Sequence, residues 1–215
     1  MRVNPTRMEL TRLKKALQVA RKGHKLLKDK RDELMRQFLE IVREAKDLRE
    51  SVEDRLAEAN RSFTVANSVM QSEVLTSALM MPKQDVELSI GKKNIMSVNV
   101  PQYEITYKTK NKDDLYSYGY AFTSGDLDDA ISKLYEVLPA QLRLAELEKS
   151  IQLIASEIEK TRRRVNALEH VMIPDYQDTI QYITMKLDEN ERSNLSRLMK
   201  VKDMMLEEKR KKDSR

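Results

Sequence analysis

An unbroken heptad pattern occupies the first part of the chain. Between about residues 6 and 81 there is no proline and a single glycine, Gly23. Apolar residues are spaced alternately by three and four, which is the pattern of a long helix that packs along one side against another helix. We call this side the apolar seam. Its two series of positions are Leu10, Leu17, His24, Arg31, Phe38, Ala45 and Val52, and Leu13, Ala20, Leu27, Leu34, Ile41 and Leu48; beyond them the larger apolar residues shift by one position, to Leu56, Phe63 and Met70.

A second helical pattern fills the C-terminal part of the chain, from about residue 126 to residue 215. Ser124 precedes it as a candidate cap, and its apolar stripe runs from Leu127 to Met205. A proline in a helix interior removes a hydrogen bond and crowds the preceding turn, so Pro139 and Pro174 predict kinks just before each of them. A lone helix with an exposed seam would be marginally stable, so the two helices are expected to pack antiparallel.

The segment between the helices, residues 82–125, is the one candidate for strands. It holds three of the four glycines and two of the five prolines. Apolar and polar residues alternate in it with the period of half-buried strands, and residues 91–94 (GKKN) can form the turn between them. The alternating residues are Val86, Leu88 and Ile90, then Val98 and Val100, then Tyr103, Ile105 and Tyr107.

The predicted fold class is therefore mainly α. We expect a long antiparallel two-helix coiled coil, or helical hairpin, with a small β-hairpin insert between the helices. In chain order, the segments are an N-terminal coiled-coil helix (1–81), a short β-hairpin or loop insert (82–125) and a C-terminal coiled-coil helix with a basic tail (126–215).

Arg31 occupies a seam position, and a charge there is costly unless it is neutralised. If residue 81 lies near residue 127, facing residue numbers add to about 208, and Arg31 falls between Asp175 and Asp178. We therefore expect Arg31 to form an inter-helix ion pair with one of these carboxylates, which would set the register of the coil.

Charge is distributed unevenly along the chain. Residues 1–31 carry a net charge of +9, residues 192–215 carry +5, and the remainder carries −9. Antiparallel packing would bring the two basic ends together as one tip of about +14. Such a tip can bind nucleic acid or an acidic protein cavity, and composition does not choose between them.

The sequence contains none of the common catalytic constellations. It has no cysteine, two histidines, no glycine-rich phosphate loop and no His-Glu-x-x-His motif. We therefore expect no enzyme activity, no catalytic residue, no cofactor and no metal site. No stretch has the roughly 18 apolar residues of a membrane span, so direct membrane insertion is not expected.

Three strings in this sequence resemble a known family. They are residues 4–10 (NPTRMEL), residues 23–34 (GHKLLKDKRDEL) and residues 161–169 (TRRRVNALE), the last followed by Ile173 and Pro174. Together they resemble the D subunits of the V-type, or archaeal-type, ATPases, and the likeness extends over nearly the whole chain.

The resemblance implies a non-catalytic rotor shaft in the central stalk of an H⁺ or Na⁺ ATPase or ATP synthase. It implies that the joined termini enter the hexamer of A and B subunits, that the small F subunit of the stalk binds the side of the coil, and that a funnel-shaped subunit links the shaft to the membrane ring. The expected location is cytoplasmic, peripheral to the cell membrane.

The resemblance also implies which residues bind these partners. Contact with the catalytic hexamer is expected from exposed residues near both termini, and contact with the F subunit from a basic triplet midway along the second helix. The hexamer set is Arg7, Met8, Arg12, Lys14, Arg197, Lys200 and Lys202, and the triplet is Arg162, Arg163 and Arg164.

Two other functions fit the residue pattern. A free-standing coiled-coil scaffold or adaptor would form a homodimer or bind several partners. A nucleic-acid-binding helical hairpin would use the basic tip, although the aromatic residues that stack on bases are concentrated in residues 82–125.

Overall fold

The computed structural model describes residues 3–108, 115–119 and 123–213, with side chains to residue 207. It confirms the mainly helical fold with a β-hairpin between two long helical segments. Parts of the predicted insert, residues 109–114 and 120–122, lie outside the described residues. The elements are α1 (Arg7–Val69), α2 (Ser72–Leu79), β1 (Val86–Ile95), β2 (Val98–Tyr107), α3 (Gly125–Ala167), a π-helical turn (Leu168–Met172) and α4 (Ile173–Asp213).

The chain divides into two compact units, each containing part of both long helical segments. Unit 1 comprises residues 1–31 and 160–215, and unit 2 comprises residues 32–159. Unit 1 contains 25 Lys or Arg and 12 Asp or Glu, a net charge of +13, whereas unit 2 contains 15 and 23, a net charge of −8. The basic character predicted for the two ends therefore belongs to one structural unit.

In unit 1 the two helical segments run antiparallel. Arg7 lies 3.7 Å from Glu191, and the His24 ring lies 3.2 Å from the Glu169 carboxylate. As residue numbers in α1 increase from 7 to 24, those of the facing segment decrease from 191 to 169, so the two run in opposite directions. The buried side chains of this seam are Leu13, Ala20, Thr161, Val165, Thr179 and Ile183.

The start of α1 is capped by Thr6, in agreement with the capping-box spacing of Thr6 and Glu9 in the sequence. The backbone N–H of Glu9 donates a hydrogen bond of 3.3 Å to the hydroxyl of Thr6. This bond satisfies one of the backbone donors that a helix leaves without a partner in its first turn.

A π-helical turn precedes Pro174, where the sequence predicts a kink. The backbone N–H of Ile173 donates to the carbonyl of Leu168, five residues earlier. Proline has no N–H, and its ring would crowd the carbonyl four residues before it in a regular α-helix. The wider turn changes the hydrogen-bond ladder at this point, whereas at Pro139 α3 continues without such a turn.

Unit 2 also contains an antiparallel helix pair. Arg143 lies 3.2 Å from Glu44, and Lys133 lies 3.0 Å from Glu58. One series of buried positions in α1 continues its seven-residue repeat through Ala45, Val52, Ala59 and Ala66. The shift predicted for the other series is confirmed, because Leu56, Phe63 and Met70 are partly buried and the last two pack against the cluster that contains Ala66. Alanine lets two helices approach closely but buries little apolar surface.

The first helix ends earlier than its apolar pattern predicts. It stops at Val69, and Gln71 has an extended backbone (φ −69°, ψ 135°) before α2 begins. The preceding residues 63–69 (FTVANSV) are rich in poor helix formers, and the hydroxyls of Thr64 and Ser68 donate to the carbonyls of Asn60 and Val65. The break places α2 in a core cluster of Ala66, Leu75, Ala78 and Leu127.

The insert forms a two-stranded antiparallel hairpin whose turn is not the one predicted. Val86 pairs with Tyr107 and Ile95 with Val98, so residues 91–94 lie within β1. The turn consists of Met96 and Ser97, which both have positive φ (48° and 74°). Positive φ at both turn residues matches the twist of the strands.

The tip of the hairpin packs against the helix pair of unit 2. Val98 and Val100 of β2 are buried in one cluster with Leu34 of α1 and with Ile154 and Ile158 of α3. Partly buried apolar residues of α1, α3 and the hairpin pack around this cluster. One core therefore joins α1, α3 and β2.

Candidate partner-binding surfaces

The seven residues predicted to contact the hexamer all belong to unit 1, and all are exposed. Met8 is 84% exposed at the start of α1. Arg12 donates to the carboxylate of Glu9 at 3.2 Å, within the same turn of helix. Arg7 and its neighbour Glu191 are also exposed, so their ion pair is solvated. The others, Lys14, Arg197, Lys200 and Lys202, are exposed on α1 and α4.

Helix α4 continues past the first turn of α1. Because Arg7 lies beside Glu191, residues 192–213 extend beyond the point where the paired helix begins. We call these residues the overhang. Among its described side chains, the large apolar ones are 44–66% exposed; they are Leu195, Leu198, Met199, Val201, Met204, Met205 and Leu206.

The overhang combines an apolar stripe with basic side chains. Leu195, Leu198, Met205 and Leu206 recur at helical spacing on one side, and Arg197 and Lys200 lie between them in sequence. An apolar stripe on a helix is normally buried against another element, so this surface is suited to a protein partner. The sequence predicts the charges of the overhang and an apolar stripe that runs to Met205. It does not predict that the stripe is exposed, because this depends on where α1 begins relative to α4.

The basic triplet in α3 points away from the seam. Arg162, Arg163 and Arg164 are all exposed, between buried Thr161 and buried Val165. Three consecutive residues of a helix cannot all face the seam, so the sequence predicts that at least two of them point outward, and this prediction is confirmed. Whether they bind a partner stays a prediction.

The register predicted for Arg31 is wrong. Facing residue numbers add to 198 at the Arg7–Glu191 pair and to 193 at the His24–Glu169 pair, instead of about 208. At 1.5 Å per residue, the difference displaces Asp175 from the level of Arg31 by about 12 to 20 Å along the helix. This register does not bring Arg31 opposite Asp175, and Asp178 lies farther still.

The contact between His24 and Glu169 is an inter-helix polar contact of unit 1. The hydrogen bond from His24 lowers the pKa of the Glu169 carboxyl below its usual value, against the opposing effect of desolvation. The His24 side chain is 21% exposed and that of Glu169 is 52% exposed. The sequence places His24 on the seam, and the structure shows it at the edge of that seam.

None of the helices formed by the described residues is both long enough and apolar enough to cross a bilayer.

Comparison with known proteins identifies the family. Residues 9–203 match the family of ATP synthase D subunits. The V-type ATP synthase D subunit of Acetivibrio thermocellus is 64% identical over 208 residues, which cover 97% of this chain and 94% of that protein. The proteins of the same name from Clostridioides difficile and Clostridium novyi are 60% and 56% identical, over 99% and 97% of this chain and 97% of each relative. The chain therefore belongs to the D-subunit family of V-type ATP synthases and is a non-catalytic component of the central stalk.

Proposed function

We propose that this central-stalk protein is a rotor shaft that transmits torque between an ion-translocating membrane ring and a catalytic hexamer of A and B subunits. In this proposal unit 1 enters the hexamer with the overhang leading. The observation that carries it is the exposed apolar stripe of residues 195–206 on a basic unit. A hexamer that surrounds the overhang would cover this stripe.

The overhang has the asymmetry that such a shaft needs. Leu195, Leu198, Met205 and Leu206 lie on one side of a single helix, so within a ring of three alike sites this side faces one site at a time. A shaft changes the conformation of a site only through contacts that differ between the conformations. Moving a site from 1:99 to 99:1 requires about 5.5 kcal/mol of such preference.

The basic side chains have a second role in this proposal. Arg197, Lys200 and Lys202 are exposed on long, flexible stems. Exposed ion pairs are weak individually, so these side chains can exchange acidic partners as the shaft turns without holding it in one orientation. The apolar stripe supplies contact area and the basic residues supply attraction over longer distances.

The apolar stripe is tested with the double variant Leu198→Ser and Met199→Ser. In a complex reconstituted with A, B and F subunits, we expect ATP hydrolysis coupled to rotation to fall at least about tenfold, because each apolar side chain contributes roughly 1.5 to 3 kcal/mol when buried. The matched control is the double variant Val65→Ser and Val69→Ser, which removes two exposed apolar side chains (50% and 68%) from the part of α1 in unit 2. Equal activity of the double variant and the control would contradict this placement of the overhang.

The basic residues are tested with the double variant Arg197→Glu and Lys200→Glu. We expect weaker assembly with the hexamer, and a loss that increases as the ionic strength is lowered, because like charges then repel more strongly. Arg55→Glu with Arg61→Glu reverses two exposed charges of unit 2 and is the matched control. Unchanged assembly of the first variant would remove these residues from the interface.

We further propose that the F subunit binds the side of the coil at Arg162, Arg163 and Arg164. Their exposure on three consecutive positions of α3 supports this site. Reversing the triplet to Glu is expected to abolish a 1:1 complex with the F subunit in a mass measurement while leaving the helix content unchanged. A 1:1 complex that persists would place the F subunit elsewhere, and a homodimer without it would favour the scaffold alternative.

We also propose that a funnel-shaped subunit links the shaft to the membrane ring, and that the chain lies on the cytoplasmic side, peripheral to the cell membrane. The exposed pair Met80 and Met81, at 75% and 78%, supplies an apolar surface in unit 2 for such a contact. Replacing both with Ser is expected to weaken co-purification with the funnel-shaped subunit and to leave hexamer binding unchanged.

A further inference from the structure

The two outer edges of the β-hairpin have different surroundings. The outer edge of β2 faces α3, where the backbone N–H of Tyr103 donates to Glu146 at 3.3 Å and the Tyr107 ring lies 5.7 Å from the Tyr135 ring. Among the described residues, β1 pairs only with β2, and residues 87–94 of β1 are all exposed. One edge is therefore covered, and the other offers unpaired backbone groups.

The pairing pattern shows which backbone groups of β1 point outward. Tyr103 donates its N–H to Glu146, so its partner Ile90 belongs to a pair without ladder hydrogen bonds. The N–H of Lys108 donates to the carbonyl of Asp85 at 3.1 Å, which fixes the same alternation from the base of the hairpin. The N–H and C=O groups of Leu88, Ile90 and Lys92 therefore point away from β2.

Pro101 agrees with this assignment. It pairs with Lys92, at a position where the N–H of β2 would point outward. Proline has no N–H to donate and is tolerated in a strand where no ladder bond is needed.

The side chains along the free edge have a defined chemistry. Leu88 and Ile90 lie on one face of the ribbon and are 37% and 64% exposed. Lys92 and Lys93 are exposed toward the tip. A lysine at a strand edge disfavours pairing with an apolar strand, and a carboxylate on the incoming strand removes this penalty.

We propose that the free edge of β1 binds an extended segment of another protein of the same complex, which adds a third strand to the hairpin. The segment has apolar side chains opposite Leu88 and Ile90 and a carboxylate opposite Lys92 or Lys93. Its backbone bonds to Leu88, Ile90 and Lys92 supply affinity, and its side chains supply specificity. The inference rests on the proposed function only in that the partner belongs to the assembled complex.

The test is amide hydrogen exchange with single-residue resolution, on the free chain and on the complex reconstituted with A, B and F subunits and the funnel-shaped subunit. The amides of Leu88, Ile90 and Lys92 are expected to exchange rapidly in the free chain and at least about tenfold more slowly in the complex. Unchanged exchange on assembly would overturn the inference. Slow exchange in the free chain would also overturn it, because the edge would already be occupied.

The same measurement separates this inference from the proposed function. Protection of residues 195–206 on assembly reports on the overhang, and protection of the three edge amides reports on the added strand. A protected overhang with unprotected edge amides contradicts the added strand alone. Protected edge amides with an unprotected overhang contradict the placement of unit 1 in the hexamer alone.

Two variants of Ile90 distinguish backbone pairing from general burial. Ile90→Pro removes an outward N–H and no ladder bond, whereas Ile90→Thr keeps the N–H and the strand preference. In the complex, protection of Leu88 and Lys92 is expected to disappear in Ile90→Pro and to persist in Ile90→Thr. Equal protection in both variants would overturn strand pairing.

Ile90→Pro could unfold the hairpin, and fast exchange of the ladder amides of Ser89 and Gly91 would reveal this. A third variant is therefore needed. Lys92→Glu leaves the backbone intact and opposes the carboxylate of the incoming segment, with Lys92→Gln as its control. Protection of Leu88 and Ile90 is expected to fall in Lys92→Glu and to remain in Lys92→Gln. Equal protection in these two variants would overturn the proposed acidic partner.

Discussion

Unit 1 and unit 2 both contain an antiparallel helix pair, but they differ in what is packed against it. In unit 2 the hairpin tip joins the helices in one cluster, and α2 joins a second cluster. The described part of unit 1 has only the seam between two helices, whose buried apolar residues are Leu13, Ala20, Val165 and Ile183. Unit 2 thus has a core of several elements, whereas unit 1 presents most of its surface for contacts with other chains.

Charge follows the same division. The basic unit carries the exposed overhang, and the acidic unit carries the hairpin. Net charge and exposed apolar residues favour binding to other chains. A core is instead stabilised by side chains that pack against one another. We therefore expect truncation of buried side chains to have larger effects on stability in unit 2, and changes to exposed side chains to affect assembly mainly in unit 1.

The largest expected effect is from Leu34→Ala in unit 2. Leu34 is fully buried where α1, α3 and β2 meet, so the cavity left by truncation cannot close easily. We expect a loss of about 3 to 5 kcal/mol in the free energy of unfolding, measured by urea denaturation. The matched variant in unit 1, Leu13→Ala, removes the same atoms from a two-helix seam that can collapse, and we expect it to cost about 2 kcal/mol.

Equal losses at the two leucines would contradict the distinction between a core and a seam. Leu198→Ala is the control for side-chain chemistry alone. This side chain is 64% exposed in the overhang, so its truncation is expected to change stability by less than about 0.5 kcal/mol.

The two prolines give the next comparison. Pro139 lies inside α3 of unit 2 and leaves the carbonyl of Tyr135 without its usual helical partner, whereas Pro174 in unit 1 follows a π-helical turn. Pro139→Ala is expected to raise the free energy of unfolding by roughly 1 to 3 kcal/mol, because it restores that hydrogen bond. Pro174→Ala is expected to raise it by less. A larger gain at Pro174 in urea denaturation would show that the π-helical turn stores more strain than the continuous helix.

The hairpin contact is tested by Val100→Ala. Val100 is 3% exposed in the cluster that includes Leu34, and its truncation is expected to cost about 1 to 2 kcal/mol. The loss should be local, so that ladder amides of the hairpin exchange faster while the amides of Val165 and Ile183 in unit 1 do not. Uniform acceleration across both units would mean that the chain unfolds as one cooperative body.

The sequence predicts the parts of this fold that follow from a periodic pattern. The seven-residue repeat of Leu13, Ala20 and Leu34 requires a paired helix, and the alternation of Val98 and Val100 requires a strand with one buried face. The cap at Thr6 and the outward triplet at residues 162–164 also follow from local rules. In each case one element and its immediate neighbours contain the needed information.

The errors share a different cause, because each depends on pairing between distant elements. The sequence predicts the turn at residues 91–94, whereas the structure has it at Met96 and Ser97, with Val98 buried against the helices. The end of α1 at Val69 has no glycine or proline to mark it. The length of the overhang depends on the register between α1 and α4. The predicted sum of facing residue numbers is 10 to 15 too high, so the prediction makes the overhang too short and places Asp175 and Asp178 opposite Arg31.

The smallest expected effect comes from the polar contact between His24 and Glu169 in unit 1. The hydrogen bond from His24 lowers the pKa of the Glu169 carboxyl, so the folded state binds a proton less tightly than the unfolded state. The contribution is therefore present above the usual carboxyl pKa of about 4.5 and is lost as the pH falls through the lower pKa of the folded protein. Glu169→Gln removes the titration.

In thermal denaturation, the melting temperature of Glu169→Gln is expected to lie slightly below that of the parent at pH 7 and to approach it as the pH falls below about 4.5. Glu148→Gln removes an exposed carboxylate that pairs with Arg49 in unit 2 and serves as the matched comparison. Because unit 2 has a core of several elements, loss of one surface pair should matter less there than in a seam of two helices. A larger loss from Glu148→Gln than from Glu169→Gln would show that surface pairs, and not only buried clusters, hold unit 2 together.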